Sequence, residues 1–354
     1  MVRSLTFAAG LLVAFAVSPA GAVSLTPAIV NNAEPDQRPR PAEGLDPLAI
    51  KVQVLLDRAR FSPGEIDGKN GENVKKAIRA FAAARGLPPD TAMTSELWTK
   101  LTSGFEGPIL TEYALTEKDV KGPFLEKLPS RLEDMKSLSA LSYTSPREAI
   151  AEKFHMSEEL LAALNPAKPF EKIGAVVIVA NVSMERPRNE IGRIEVDKTG
   201  QTVKIFDKSG QLVAFYPATV GSDEKPTPGG TLKVTSAHMS PTYRYDPEYD
   251  FKGVKTKKPF TIKPGPNNPV GLAWIGLSEK SYGIHGTPQP SKVSKSESQG
   301  CVRLTNWDAV SLAGMVKKGM PVAFLEGSQA LDISSASPRE QKTSATQART
   351  RRPY

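Results

Sequence analysis

Apolar residues recur at helical spacing in the first half of the chain and alternate in the second, and that change of period divides it. Leu48, Val52, Leu55, Leu56 and Ala59 fall on one helical face. Asp46 stands before them as a cap, and Pro47 suits the first helical position. After a turn holding Pro63, Gly64 and Gly68, a second helix is marked by Val74, Ala77, Ile78, Phe81 and Ala82 and stops at Gly86. Leu97, Trp98 and Leu101 mark a third, so residues 45–104 read as a small three-helix module. Residues 105–137 mix Pro, Gly and charge and read as a linker with one short helix. Residues 138–184 then predict strand, helix, helix, strand. A weak alternation over 138–143 precedes a capping box at Ser145 and Glu148, and Ala149, Ile150 and Phe154 line the first helix. Ser157 caps a second helix with Leu160, Leu161 and Leu164, Asn165 and Pro166 break it, and Val176, Val177, Ile178 and Val179 form a buried strand. His155 falls at a helix end or on the surface.

From residue 190 the period becomes two. Ile194 and Val196, Val203 and Ile205, and Val213 and Phe215 alternate with polar residues across turns at Gly200 and Gly210. This predicts an antiparallel sheet with one buried face. Residues 238–269 form a long connection with aromatics and lysines, which reads as a flap. His238 reads as a loop residue within it, and Tyr243 and Tyr245 either pack the flap down or touch a ligand. Residues 271–277 read as a central strand. After Cys301 a helix follows, with Thr305 as N-cap, Asp308 as its box partner and Gly319 at its end. Residues 190–327 are thus an all-β domain with a short helix after the cysteine.

At 354 residues the chain has room for two or three cores, and 24% charged with 39% hydrophobic residues is a globular composition. The net charge of +8 suits an anionic polymer or a solvated surface, and no Lys/Arg run interleaved with aromatics points to nucleic acid. Residues 1–22 read as a signal peptide: Arg3, an apolar run over 5–17 too short to span a bilayer, then Ala20, Gly21 and Ala22. Export to the periplasm or cell envelope follows, with no stable membrane anchor after cleavage. Residues 23–44 read as a disordered linker and residues 328–354 as a disordered basic tail.

The chain has one cysteine, Cys301, and three histidines. A lone cysteine in an exported chain has no internal disulfide partner. Taken alone, Cys301 and His285 leave two readings equally open: a small buried apolar side chain, or a thiolate nucleophile with an imidazole to take its proton. Metal chemistry lacks ligand spacing, since the histidines are scattered and no second cysteine exists. No Gly-rich phosphate loop is present either, so neither metal nor cofactor is expected.

His285, Gly286 and Thr287, a polar spacer, then Ser298, Gln299, Gly300, Cys301, Val302 and Arg303 resemble the signature of the L,D-transpeptidase (YkuD-type) family. The turn at Thr227, Pro228 and Gly230 continues the resemblance. It implies a YkuD-like β-sandwich in which Cys301 is acylated by a donor stem peptide of peptidoglycan and His285 is its base. The Gly286 carbonyl would orient the imidazole, and N–H groups of Gly300 and Cys301, on the loop shaped by Ser298 and Gln299, would receive the oxyanion. Arg303 would fix the loop or a substrate carboxylate, and Tyr243, Tyr245, Trp274 and Thr287 would contact substrate. The acceptor would be a second stem peptide or a lysine of an envelope protein, and carbapenem-type β-lactams would inhibit. The family usually has His where this chain has Gln299. The alternatives are an L,D-carboxypeptidase or amidase on the same scaffold, and an inactive wall-binding protein. Ile66, Asp67 and Gly68, with Ala80 and Phe81 before Arg85, Gly86 and Leu87, resemble a peptidoglycan-binding domain. Residues 138–184 resemble a degenerate LysM glycan-binding module.

Overall fold

A computed structural model describes residues 25–36, 44–182, 190–249 and 254–326; the expected signal peptide and basic tail lie outside them. Among the described residues, no helix is long and apolar enough to cross a membrane.

The stretch expected to be a disordered linker carries a helix, α1 (Pro27–Asn31), capped by Thr26. Its end is tied down: Asn31 Oδ1 accepts from the N–H groups of Ile109 and Leu110, and Lys51 Nζ donates to the carbonyls of Asn31 and Ala33. The three-helix module follows as α2 (Pro47–Arg58), α3 (Glu72–Ala84) and α4 (Ser95–Thr102). Asp46 caps α2, and Gly86 takes φ +71° beyond the end of α3. Phe61 and Phe81 meet edge to face at 5.4 Å in its core.

The strand–helix–helix–strand unit exists, but its first strand lies outside the span read for it. Strand β1 (Leu110–Ala114) pairs antiparallel with β2 (Val176–Ala180), so part of the expected linker belongs to this module. Residues 138–143 form no strand. Two short helices, α5 (Glu117–Lys121) and α6 (Leu132–Met135), precede the pair α7 (Pro146–Lys153) and α8 (Glu158–Leu164). Ser145 and Ser157 cap that pair, as their sequence contexts require.

The second half forms one eight-stranded mixed sheet. Its strands are β3 (Ile191–Asp197), β4 (Thr202–Asp207), β5 (Leu212–Pro217), β6 (Gly230–Met239), β9 (Ala273–Leu277), β10 (Gly283–His285), β11 (Val302–Arg303) and β12 (Pro321–Leu325). The order is β11-β10-β9-β6-β12-β3-β4-β5. The antiparallel expectation holds except at two joins, where β12 lies parallel to β3 and β11 parallel to β10. The flap between β6 and β9 carries a separate hairpin, β7 (Tyr243–Tyr245) against β8 (Phe260–Ile262). Helix α9 (Asn306–Ala313) covers the sheet and is capped by Thr305; it ends at Gly314, not at Gly319, which turns the chain into β12 at φ +88°.

The units are pinned to each other by main-chain hydrogen bonds. Ser62 N–H donates to the Phe215 carbonyl and Phe215 N–H to the Arg60 carbonyl, extending the β5 edge by one bridge. The flap is tied to the preceding module through Glu133, whose carboxylate accepts from the N–H groups of Lys255 and Thr256.

Candidate active site

The register of three strands builds the site. Ile275, Ile284 and Val302 lie opposite one another and are buried in the core. Side chains alternate along a strand, so their neighbours Trp274, His285 and Arg303 form a row on the other face. His238 extends that row, opposite Trp274. It sits in β6, not in a loop as expected; its exposed surroundings hide the alternation. Cys301 immediately precedes β11, two residues before Arg303 and diagonal to His285.

His285 is 4% exposed, and its ring stacks on Trp274 at 5.5 Å with planes 19° apart. Its Nδ1 lies 2.6 Å from the Gly286 carbonyl. A carbonyl only accepts, so the proton resides on Nδ1 and the Nε2 lone pair is left for substrate chemistry. Burial, assisted by the Arg303 guanidinium, lowers its pKa to about 3 despite that hydrogen bond. Burial pushes the Cys301 thiol up, against the pull of the Gly283 N–H and Arg303. Both directions favour a neutral thiol beside a neutral imidazole, with the proton passing to the imidazole only as sulfur attacks. The thiol donates to the Ser281 carbonyl, with Sγ 3.6 Å from that oxygen.

The loop before the cysteine is held by side chains. Thr227 Oγ1 donates to the Gly300 carbonyl at 2.9 Å and accepts from Gly221 N–H at 2.7 Å. Gly300 has φ +104°, and a β-carbon there would meet Tyr282 Cε1 at 2.7 Å, so both conformation and space require glycine. The Ser298 hydroxyl donates to the Cys301 carbonyl and accepts from Gly300 N–H at 3.2 Å. That contact corrects one assignment: the Gly300 N–H is engaged by Ser298 and does not point at an oxyanion. Gln299 has its Oε1 buried with no partner among the described residues.

Arg303 lies beside Cys301 and Tyr243, and burial lowers its pKa. Among the described residues no carboxylate forms an ion pair with its guanidinium. Tyr243 is held well above the usual phenol range by burial and by its nearness to the Cys301 sulfur. Two other expected substrate contacts are buried. Tyr245 is buried against Phe260, with ring centroids 4.7 Å apart, and packs the flap hairpin. Thr287 is buried, and its hydroxyl accepts from Gln289 N–H within the spacer. Residues 281 to 283, which supply Ser281 and Gly283 to the thiol, carried no signal in the sequence, because they act through the main chain. Among the described residues no cluster of His, Cys, Asp and Glu has the makings of a metal site.

The L,D-transpeptidase catalytic domain family matches residues 191–323, and the putative peptidoglycan binding domain family matches residues 46–101. The putative L,D-transpeptidase YkuD of Bacillus licheniformis is 28% identical over 177 residues, covering 50% of this chain and 92% of the relative. The putative L,D-transpeptidase YqjB of Bacillus subtilis is 30% identical over 141 residues, covering 38% of this chain and 71% of the relative. Among solved structures, an L,D-transpeptidase from Xylanimonas cellulosilytica is 15% identical, covering 82% of this chain and 100% of that one at a TM-score of 0.36. L,D-transpeptidase 3 from Mycobacterium tuberculosis, in complex with a faropenem-derived adduct, is 17% identical, covering 44% of this chain and 75% of that one at a TM-score of 0.32. Neither match extends over residues 138–184, the stretch that resembles LysM. On the sequence matches to both halves, the chain belongs to the L,D-transpeptidase family, with an N-terminal peptidoglycan-binding domain.

Proposed function

We propose that this protein is an exported, cysteine-dependent L,D-transpeptidase that exchanges amide bonds on peptidoglycan stem peptides. One observation carries the reading: His285, locked as the Nδ1–H tautomer by the Gly286 carbonyl, lies opposite Arg303 in the strand that Cys301 leads into. In this reading the donor displaces the thiol from the Ser281 carbonyl, and Nε2 takes its proton as sulfur attacks the carbonyl carbon. Charge separates only when substrate excludes water, where fixed dipoles act most strongly. The N–H of Cys301 is the donor this reading assigns to the developing oxyanion. The tetrahedral intermediate collapses to a thioester, and the amide nitrogen leaves with the proton held by His285. An amine then attacks the thioester, gives its proton to Nε2, and the thiol is restored.

Arg303 suits a substrate carboxylate, because it is a part-buried guanidinium at the reacting sulfur with no ion-pair partner among the described residues. Tyr243 and Trp274 would wall the same space. The acceptor amine belongs to a second stem peptide or to a lysine of an envelope protein. The deciding experiment incubates the purified protein with muropeptides, and separately with a carbapenem, followed by intact mass. Cross-linked dimers and a carbapenem adduct that vanishes in Cys301→Ala are expected. Trimmed monomers alone would make water the acceptor, and an adduct unchanged in Cys301→Ala would refute the assignment of the nucleophile.

A further inference from the structure

Helix α9 begins at Asn306, whose side chain is fully buried and joins three parts of the molecule. Its Oδ1 accepts from Leu272 N–H at 2.9 Å, just before β9. The same oxygen is pressed against the strand that carries the imidazole. A β-carbon placed on Gly286 would lie 2.3 Å from it, and one on Gly271 would lie 2.0 Å from it and 2.6 Å from the Gly286 carbonyl carbon. The Gly286 peptide is the one whose carbonyl accepts from His285 Nδ1. Asn306 thus seats the group that sets the tautomer of the base. On its other side, Asn306 Nδ2 donates to Glu152 Oε1 at 2.9 Å and to the Pro266 carbonyl at 3.1 Å. Glu152 lies on α7, in the strand–helix–helix–strand module, and its Oε1 also accepts from Tyr143 OH at 3.0 Å.

We propose that Glu152 is a positioning residue for the acyl-transfer site: by accepting from Asn306 Nδ2 it fixes the amide that seats Gly286, and through Gly286 it holds His285 as the Nδ1–H tautomer. The α7 module is then part of the reaction centre's frame, whatever else it grips. An amide oriented by acceptors for both Nδ2 hydrogens has one allowed direction, with Oδ1 toward Leu272 N–H. Removing Glu152 leaves one of those hydrogens unpaired in a dry interface, and the amide gains a reason to turn. Turning it deprives Leu272 N–H of its acceptor and crowds the Gly271–Gly286 contact, where no slack exists. The argument rests on His285 being the base, as proposed above, so its test separates the two claims.

The experiment compares the full chain with Glu152→Ala, Glu152→Gln and Tyr143→Phe. Carbapenem acylation rates are measured by stopped-flow and mass, the His285 tautomer by long-range nitrogen–proton NMR, and folding by thermal melting. Glu152→Ala is expected to slow acylation roughly ten- to hundredfold, the range for residues that orient a ligating or reacting group. Its His285 spectrum should show an admixture of the Nε2–H form. Glu152→Gln keeps an acceptor oxygen and should recover most of the rate and the wild-type tautomer. Tyr143→Phe should fall between them, and it keeps the test open if Glu152→Ala does not fold. The proposal is overturned if Glu152→Ala keeps the wild-type tautomer, whatever happens to its rate. It is equally overturned if Glu152→Gln, still folded, loses as much as Glu152→Ala. A wild-type protein that forms no adduct at Cys301 would defeat the functional reading instead, and the tautomer comparison would still judge the role of Glu152.

Discussion

Trp307 of α9 stacks on His155 from the turn after α7, with ring centroids 5.0 Å apart and planes 9° from parallel. His155 Nδ1 pairs in turn with Asp57 of α2 at 2.8 Å, so helices of both N-terminal modules meet the helix that follows Cys301. His155 was expected at the surface or at a helix end, and it stands at the end of α7. The indole Nε1 of Trp307 is buried with no partner among the described residues. Trp307→Ala should cost about 3 kcal/mol or more, the usual price of emptying a site of that size. Trp307→Phe should keep the stack and remove the unpaired N–H, leaving stability within about 1 kcal/mol of wild type. Chemical denaturation of both variants checks this; a phenylalanine variant as unstable as the alanine one would mean that the indole N–H has a partner after all.

Stability should fall as pH rises from about 4.5 to 7 through two carboxyls buried at the same junction. Burial raises Glu152 to about 7, against the donors Asn306 and Tyr143, with Glu148 adding and His155 opposing. Burial likewise raises Asp308 to about 7, against Thr305 and Ser62, with Asp57 adding and His155 opposing. A raised carboxyl binds its proton more tightly in the fold, so its contribution is complete below its unfolded pKa and is lost as pH passes through the folded one. Each group contributes a slope of at most about 1.4 kcal/mol per pH unit. His285, lowered to about 3, has the opposite sign: its stability is present above about 6.5 and drains away toward pH 3. Asp308→Asn keeps an acceptor for Ser62 and should flatten the decline between pH 4.5 and 7 in melting experiments. A wild-type curve that rises across that window would contradict the assignment.

The sequence made regular elements legible where one face alone is buried. The α2 and α3 stripes and the alternation in β3 to β5 are examples. It failed where burial is decided by a distant partner. Strand β1 buries only its first residue, Leu110, and its pairing with β2 depends on a segment far along the chain. Glu152 lies outside the apolar stripe of Ala149, Ile150 and Phe154, so the pattern is silent on it, yet it reaches Asn306 across a module boundary. Asp308 shows the same limit. The pattern predicts a capping-box partner; the structure has Thr305 Oγ1 accepting from its N–H, while its carboxylate accepts from Ser62 of the first module at 2.8 Å. The order His285, Gly286, then Gly300, Cys301 and Arg303 was visible as a motif. That Gly300 N–H is spent on Ser298 was not, because hydrogen-bond direction depends on loop conformation.

Cys301 should react slowly with a simple alkylating agent at neutral pH. Its thiol is pushed above the ordinary range by burial, and a His285 lowered to about 3 is no cation to hold a thiolate. With a single cysteine in the chain, iodoacetamide labelling reports on this sulfur alone. The rate should climb only beyond about pH 8.5, the usual thiol value, and should show no plateau between 6 and 7. Acylation by a carbapenem should instead persist down to about pH 5, because the base stays unprotonated there. A labelling plateau near pH 6 would reveal a thiolate–imidazolium pair and remove the case for proton transfer during attack.

Thr227 should matter to acylation although it is distant in sequence from the cysteine. Its hydroxyl is the one side-chain group that both receives Gly221 N–H and grips the Gly300 carbonyl, and it is buried. Thr227→Val keeps the shape and strands both partners, at a cost of about 1–3 kcal/mol for each buried group left unpaired. Part of that cost falls on the loop's alignment, because the Gly300 peptide leads directly into Cys301. Thr227→Ser should retain both hydrogen bonds and most of the rate. Acylation kinetics of the two variants, with sedimentation on isolated sacculi as a control for wall binding, make the comparison. A valine variant that acylates as fast as the serine variant would show that the Gly300 carbonyl needs no anchor.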